Sequence, residues 1–401
     1  MRNEIRIYRD ILGFESGFLL FLLKLRIMKI PRIALEHIRA RMHSGKAILI
    51  FGPRQAGKTT LLHALLPNAD DALWLNGDLA AHHRMLEEPT PERFRMLMQG
   101  RSVLCIDEAQ RIADIGLKLK ILVDGLPDVQ VIATGSSSFE LSNRINEPLT
   151  GRKWEFRLYP LSFSEMARYS SVVSEQDAIR HRLVFGYYPE IVSHPGDEVA
   201  RLSLLADSYL YKDILSWERV LKPQKINLLL QALAYQIGAQ VSYNELAQIC
   251  GIDAKTVERY IDLLEKAFVV FRLGSFSRNL RNELKSSRKV YFFDNGIRNA
   301  VIGRFDPLEL RDDVGALWEN FVVAERIKRN AYAAPGRRSY FWKTTKQHEI
   351  DYVEESEGTI SAFECKWRSS KEVKPPSSFT KAYPKASFST IRPDNAFEFL
   401  L

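Results

Sequence analysis

The chain has 401 residues, 46% of them hydrophobic and 26% charged, with 21 glycines and 17 prolines, which excludes a disordered or collagen-like polymer and suits two or three cored domains. Its net charge of +8 favours a polyanionic partner over an acidic one. The three cysteines, Cys105, Cys250 and Cys365, lie far apart in apolar settings, a pattern that suits buried residues of a reducing cytoplasm rather than a disulfide framework or a cysteine metal site.

Residues 1–27 read as an N-terminal extension. Its apolar stretch Gly17-Phe18-Leu19-Leu20-Phe21-Leu22-Leu23 is much shorter than the roughly twenty residues of a spanning helix. Glu15 stands beside it and no small-residue cleavage site follows, so neither an anchor nor a signal peptide is expected. The segment is either an extra amphipathic helix or lies upstream of a true start at Met28.

The apolar run Ala47-Ile48-Leu49-Ile50-Phe51 predicts a strand. It leads into Gly52-Pro53-Arg54-Gln55-Ala56-Gly57-Lys58-Thr59-Thr60, a complete G-x-x-x-x-G-K-[ST] loop, followed by the helix-type run Leu61 to Leu66. This setting lets backbone N–H groups and a helix dipole face a nucleotide phosphate. ATP is therefore the expected cofactor, held by Gly52, Arg54, Gln55, Ala56, Gly57, Lys58, Thr59 and Thr60. A second strand is expected at Trp74-Leu75-Asn76-Gly77-Asp78, with Asp78 either a site residue or a turn former.

Val103-Leu104-Cys105-Ile106-Asp107-Glu108 predicts a buried strand delivering two carboxylates at its carboxyl end, where open α/β sheets place ligands. Asp107 is expected to hold Mg²⁺ and Glu108 to polarise the attacking water. Lys58 would neutralise the β and γ phosphates, and the Thr59 hydroxyl would complete the metal shell. A further strand, Val129 to Ala133, ends in Thr134-Gly135-Ser136-Ser137-Ser138. Its hydroxyls would sit beside the γ-phosphate, with Ser136 the chosen group, or else the turn simply caps the next helix. Arg152 reads as an arginine finger, in cis or on a neighbour, or as a plain surface cation. The alternation of strands and helices to about residue 205 implies an α/β domain at 28–205 with a parallel sheet and a helical lid.

Residues 206–285 read as a winged helix. Lys225 to Ile237 is an apolar-faced helix, the capping box Ser242-Tyr243-Asn244-Glu245 starts a second, and Asp253 caps a third with Val257, Ile261 and Leu264 on its buried stripe. The third helix holds the recognition position. Its outer face carries Lys255, Glu258, Arg259 and Asp262, and the two acids argue against sequence-specific recognition. Arg272, Arg278, Arg281, Lys285, Arg288 and Lys289, against Glu283 alone, suit sequence-independent contacts to DNA phosphates.

Residues 286–401 carry a separate constellation. A helix from Val314 to Lys328 contains Glu319, and strands are expected at Lys289 to Asp294, Glu349 to Val353 and Ala362 to Trp367. Strand alternation puts Glu364 with Lys366 on one face, and Glu349 with Asp351. The group suits Mg²⁺ or Mn²⁺, with Lys366 polarising a phosphate or water; the alternative is a set of surface salt bridges.

Together these segments resemble a widespread family of prokaryotic AAA-type ATPases whose C-terminal domain looks like a restriction-endonuclease fold. The marks are the loop Gly52 to Thr59, the strand Val103 to Glu108, Gly186-Tyr187-Tyr188-Pro189, Tyr211-Lys212-Asp213-Ile214, Phe293-Asp294-Asn295-Gly296, Glu319-Asn320, Glu349-Ile350-Asp351 and Glu364-Cys365-Lys366. The resemblance implies ATP binding at Lys58, Thr59 and Asp107, makes Ser136 similar to a polar sensor, and implies a nuclease-type site at Glu319, Asp351, Glu364 and Lys366. Glu325, which points more squarely into its helix's apolar arc, competes with Glu319. Two functions are therefore expected: an ATP-driven enzyme acting on nucleic acid, or a nucleotide-gated switch whose C-terminal domain is a non-catalytic platform for a protein partner or a second copy.

Overall fold

A computed structural model describes residues 30–135, 149–209, 223–277, 288–333, 336–344, 346–368 and 373–401. The extension 1–27, Ser136, Arg278, Arg281, Lys285 and the Tyr211-Lys212-Asp213-Ile214 motif lie outside the described residues. The chain divides into residues 1–31 and a compact unit, Arg32–Leu401.

The unit begins with helix α1 (Ile33–Arg39), which buries Ala34 and Ile38. Strand β1 (Ala47–Phe51) is buried along its whole length, as an unbroken apolar run must be when helices cover both faces of a sheet. The phosphate-loop motif follows, and helix α2 (Lys58–Leu65) starts directly at Gly57. Strands β2 (Ala72–Asn76), β3 (Val103–Asp107), β4 (Gln130–Gly135) and β5 (Lys153–Arg157) complete a sheet of order β2-β3-β4-β1-β5. All pairings are parallel, so every carboxyl end meets one edge, with β4 between β1 and β3. The lid opens with α3 (Phe163–Tyr169), whose N-terminus is closed by the capping box of Ser162 and Glu165, and continues through α4 (Ile179–Phe185).

The remainder forms one further sheet with its helices. Helix α5 (Pro223–Tyr235), strand β6 (Gln240–Val241), helices α6 (Tyr243–Cys250) and α7 (Ala254–Lys266), and strands β7 (Val270–Ser275) and β8 (Arg288–Phe292) come first. Ser242 accepts the N–H of Glu245 and Asp253 that of Thr256, which sets the starts of α6 and α7. Val257, Ile261 and Leu264 are buried on the stripe that their spacing predicts. Helices α8 (Asn295–Val301) and α9 (Val314–Ala333) and strands β9 (Arg338–Lys343), β10 (Glu349–Ser356), β11 (Thr359–Cys365) and β12 (Ser387–Ile391) follow. The order is β12-β11-β10-β9-β7-β8-β6. Because β7 pairs with β9, through Gly274↔Tyr340 and Ser275↔Phe341, the sheet is continuous across residue 285, where the sequence suggested a domain break.

Two of the quoted motifs meet in one contact. Gly186 (φ +70°) lies against the Asp294 carboxylate, and Gly296 against the Phe185 carbonyl, so closely that a Cβ at either would overlap its neighbour. The Tyr187 N–H donates to Asp294 Oδ2 at 2.6 Å. The lid is thereby bolted to the loop that follows β8. Among the described residues, no helix is long and apolar enough to cross a membrane.

Candidate active site

At the carboxyl end of β1 the loop wraps tightly. Gln55 (φ 57°) and Gly57 (φ 91°) take left-handed backbone, and Gly52 abuts the Leu158 carbonyl so closely that no side chain fits. Gly57 O accepts the Leu61 N–H at 2.8 Å, which starts α2 within the motif. The largely buried Lys58 donates to the carbonyls of Gly52 (2.9 Å) and Pro53 (2.8 Å), so its ammonium spans the loop.

The Thr59 hydroxyl donates to Asp107 Oδ2 at 2.8 Å. Asp107 Oδ1 accepts the Thr134 hydroxyl, from the end of β4, and the Glu108 N–H at 3.1 Å. Glu108 is itself in left-handed backbone (φ 50°), and its carboxylate accepts the Gln110 side-chain amide. Burial and the neighbouring charge of Asp107 push the Cys105 thiol well up, so it stays neutral. The donor set, a hydroxyl and a carboxylate oxygen beside a lysine and a helix N-terminus, fits a hard divalent cation with a triphosphate.

Arg152 stands elsewhere. Ala47 pairs with Lys153 at the amino end of the sheet and Phe51 with Arg157 at the phosphate end. Arg152 precedes Lys153 and bonds Asp124 at 2.6 Å, so it is no finger for its own chain's phosphate: the parallel register puts it at the wrong edge. Asp78 forms the turn: its N–H donates to Asn76 Oδ1 at 2.8 Å, and its carboxylate lies 3.5 Å from Arg111.

The C-terminal constellation assembles around a residue first assigned to DNA. Lys289, 1% exposed, places its ammonium 2.9 Å from Glu319 on α9, 2.6 Å from Glu349 and 3.9 Å from Asp351 on β10. Tyr291 also donates to Glu319 (2.7 Å), and the Cys365 N–H to Asp351 (2.9 Å). Glu364 is paired with Lys366 at 2.8 Å. Burial, then the charge of Asp351, pushes Glu319 up to about 7 despite Lys289. Burial also raises Asp351 and Glu364, the latter with help from Asp351. For Lys289 burial opposes the charge, but the three carboxylates outweigh it and raise its pKa. Glu319, Asp351 and Lys366 line a cleft of about 460 Å³.

Two expectations change here. Lys289 is buried among carboxylates, out of reach of a DNA phosphate. Arg272 is engaged by Glu265 (Nε at 2.9 Å) and by Asp262 on the outer face of α7. Within the expected metal set, the Lys289 ammonium stands beside Glu319 and Asp351 and Glu364 pairs with Lys366; among the described residues, no group of three or more His, Cys, Asp or Glu is placed to hold a metal ion. Glu325 belongs to the lid contact instead, accepting the Phe163 N–H and the Lys328 ammonium, both at 2.7 Å.

Residues 44–167 match the family model of an AAA domain. The phosphate loop, the carboxylate strand and the all-parallel sheet give this part of the chain a P-loop ATPase fold similar to that AAA family. Residues 176–308 and 314–398 match two domains of unknown function, DUF8612 and DUF4143. An uncharacterized protein of Mycobacterium tuberculosis is 28% identical over 347 residues, covering 85% of this chain and 75% of its own. One from Methanocaldococcus jannaschii is 22% identical over 354 residues, covering 82% and 76%. A Walker-type ATPase of Pyrococcus abyssi superposes with a TM-score of 0.48 at 15% identity, over 68% of this chain and 96% of that one.

Two contributors to this domain stand outside the singled-out site residues. Thr134, one of the hydroxyls expected beside the γ-phosphate, has its signal in its place at the end of an apolar strand. Arg32 had none. It is one of 57 lysines and arginines, yet its guanidinium holds the carbonyls of Ala56 and Tyr159, each at 2.6 Å.

Proposed function

We propose that this protein is a Mg²⁺-dependent ATP hydrolase of the cytoplasm that works on DNA without sequence preference. The observation that carries the reading is the convergence of Thr59, Thr134 and Glu108 on Asp107, which joins the phosphate loop to the carboxylate strand through the strand between them. The bound Mg²⁺–ATP supplies the electrophilic γ-phosphorus and its leaving group. Gly52, Arg54, Gln55, Ala56, Gly57 and Thr60 shape the loop that receives the phosphates, and Lys58 turns from the loop carbonyls to their charge. Thr59 and Asp107 would hold the metal. Glu108, oriented by Gln110, takes the proton of the attacking water. Ser136 is an additional candidate beside the γ-phosphate. Buried free cysteines support the cytoplasmic setting, and the net charge of +8 supports the polyanion. Within the basic stretch, Arg278, Arg281, Lys285 and Arg288 carry the proposed phosphate contacts.

The internal ammonium of Lys289 favours a second reading for the C-terminal unit. An acidic cluster with a lysine ammonium inside it suits a non-catalytic platform, gated by nucleotide and binding a protein partner or a second copy, better than a Mg²⁺ or Mn²⁺ nuclease at Glu319, Asp351, Glu364 and Lys366. Phosphate release with Mg²⁺–ATP, with and without duplex or single-stranded DNA, tests both. Turnover stimulated by DNA and suppressed by salt supports the first reading; turnover indifferent to DNA supports the platform; no turnover rejects the hydrolase.

A further inference from the structure

Arg32 lies just before α1, far in sequence from the elements it joins, and its side chain is 9% exposed. Its Nε donates to Glu165 Oε1 at 3.0 Å, and the fully buried Glu165 carboxylate also takes the N–H groups of Ile33 and Ser162. The two remaining arms of the fork are committed to carbonyls. Nη1 reaches Ala56 O inside the phosphate loop, and Nη2 reaches Tyr159 O, both at 2.6 Å. The same Tyr159 donates its N–H to the Tyr332 hydroxyl in the last turn of α9, at 3.3 Å. Its ring packs edge-on against Tyr332 and tilts against Phe293 beyond β8.

A planar trans peptide points its C=O and N–H in opposite directions. By gripping Ala56 O, Arg32 turns the Gly57 N–H of the same peptide away from itself. The loop's donor geometry thus depends on a guanidinium anchored outside the loop. One residue further, that anchor rests on the helix that carries Glu319 at its other end.

We propose that Arg32 is a positioning residue for nucleotide binding and that, through Tyr159 and Tyr332, it couples the phosphate loop to α9 and the cleft at Glu319. This rests on the nucleotide-binding reading of the loop and deepens it. Ordering of the loop by phosphate steadies Ala56 O, hence Arg32, hence the Tyr159–Tyr332 contact. By linkage, whatever steadies α9 must tighten nucleotide binding by the same factor.

The test measures affinity for a fluorescent non-hydrolysable ATP analogue, and hydrogen exchange along residues 319–332 with and without that analogue. The proteins are full-length wild type, Arg32→Lys, Tyr332→Phe and, as a control, Lys58→Ala. Lysine keeps the charge beside Glu165 but cannot serve both carbonyls with a planar fork. Loss of a charged hydrogen bond then predicts about tenfold weaker binding or more. In the wild type the analogue should slow exchange in the last turns of α9. Tyr332→Phe, which removes only a hydroxyl, should still bind it but lose that slowing, a change that mere structural support would not produce. If the wild type binds and Arg32→Lys binds equally well, or Tyr332→Phe keeps the slowing, the coupling is wrong while the site reading stands. If the wild type and Lys58→Ala both fail to bind, the site reading falls and this inference with it.

Discussion

Thr59 Oγ1 and Asp107 Oδ2 lie 2.8 Å apart although 48 residues separate them. The parallel register makes this possible: β4 lies between β1 and β3, and Thr134 at its end reaches Asp107 from the middle. Two hydroxyls, Thr59 in the first turn of α2 and Thr134 at the end of β4, hold the carboxylate, the kind of preorganisation that phosphoryl transfer uses.

Lys58→Ala should abolish ATP binding, whereas Glu108→Gln should bind ATP and turn it over at least about 100-fold more slowly. Lys58 acts on phosphate charge in ground and transition states alike, and Glu108 only on the water. Binding titrations beside single-turnover phosphate release separate the two, and undiminished release by Glu108→Gln would remove that residue from the mechanism.

Thr134→Val keeps the shape of the side chain and removes the hydroxyl that Asp107 accepts. The charged hydrogen bond to Asp107, worth about 1.5–3 kcal/mol, is lost together with the longer one accepted from the Glu108 N–H. Urea denaturation should show a loss of that order, and turnover should fall while Mg²⁺-independent nucleotide binding persists. A variant as stable and active as wild type would make the Thr134 contact incidental.

Lys289→Met should not weaken DNA binding, because the ammonium is sequestered, but should destabilise the fold by about 3–5 kcal/mol by leaving buried carboxylates unpaired. Neutralising Arg278, Arg281 and Lys285 together should instead lower DNA affinity and flatten its salt dependence by about 0.9 log units per lost phosphate contact. Fluorescence anisotropy across a salt series decides it: an unchanged slope puts the DNA footprint elsewhere.

Glu319 binds a proton more tightly folded, with a pKa of about 7, than at its ordinary 4.5. Between those values the folded state holds more protons than the unfolded one, so stability falls as pH rises through that window and levels off above it. Glu319→Gln should flatten part of this slope; Asp351 and Glu364, raised in the same direction, supply the rest. Urea midpoints for both proteins at several pH values from 4.5 to 8 test this, and identical slopes would reject Glu319 as the titrating group.

Much of this molecule was legible from local pattern. The five apolar residues of β1, the glycines and lysine of the loop, the carboxylates after β3, and Ser242 and Asp253 as helix caps all act within a few residues of themselves, so spacing alone identifies them. Only the tertiary structure decided which charges meet. Lys289 looked like one cation of a solvated run, and burial opposite α9 and β10 made it the centre of an acidic cluster. Arg152 read as a finger, in cis or on a neighbour, or as a surface cation, and strand register put it at the edge away from its own phosphate loop. Glu325 matched the apolar arc of its helix better than Glu319, yet it faces the lid. Arg32 carried no signal at all, because a guanidinium acquires its role from carbonyls delivered by Ala56 and Tyr159, and sheet order and lid packing, which no local period encodes, bring those within 2.6 Å.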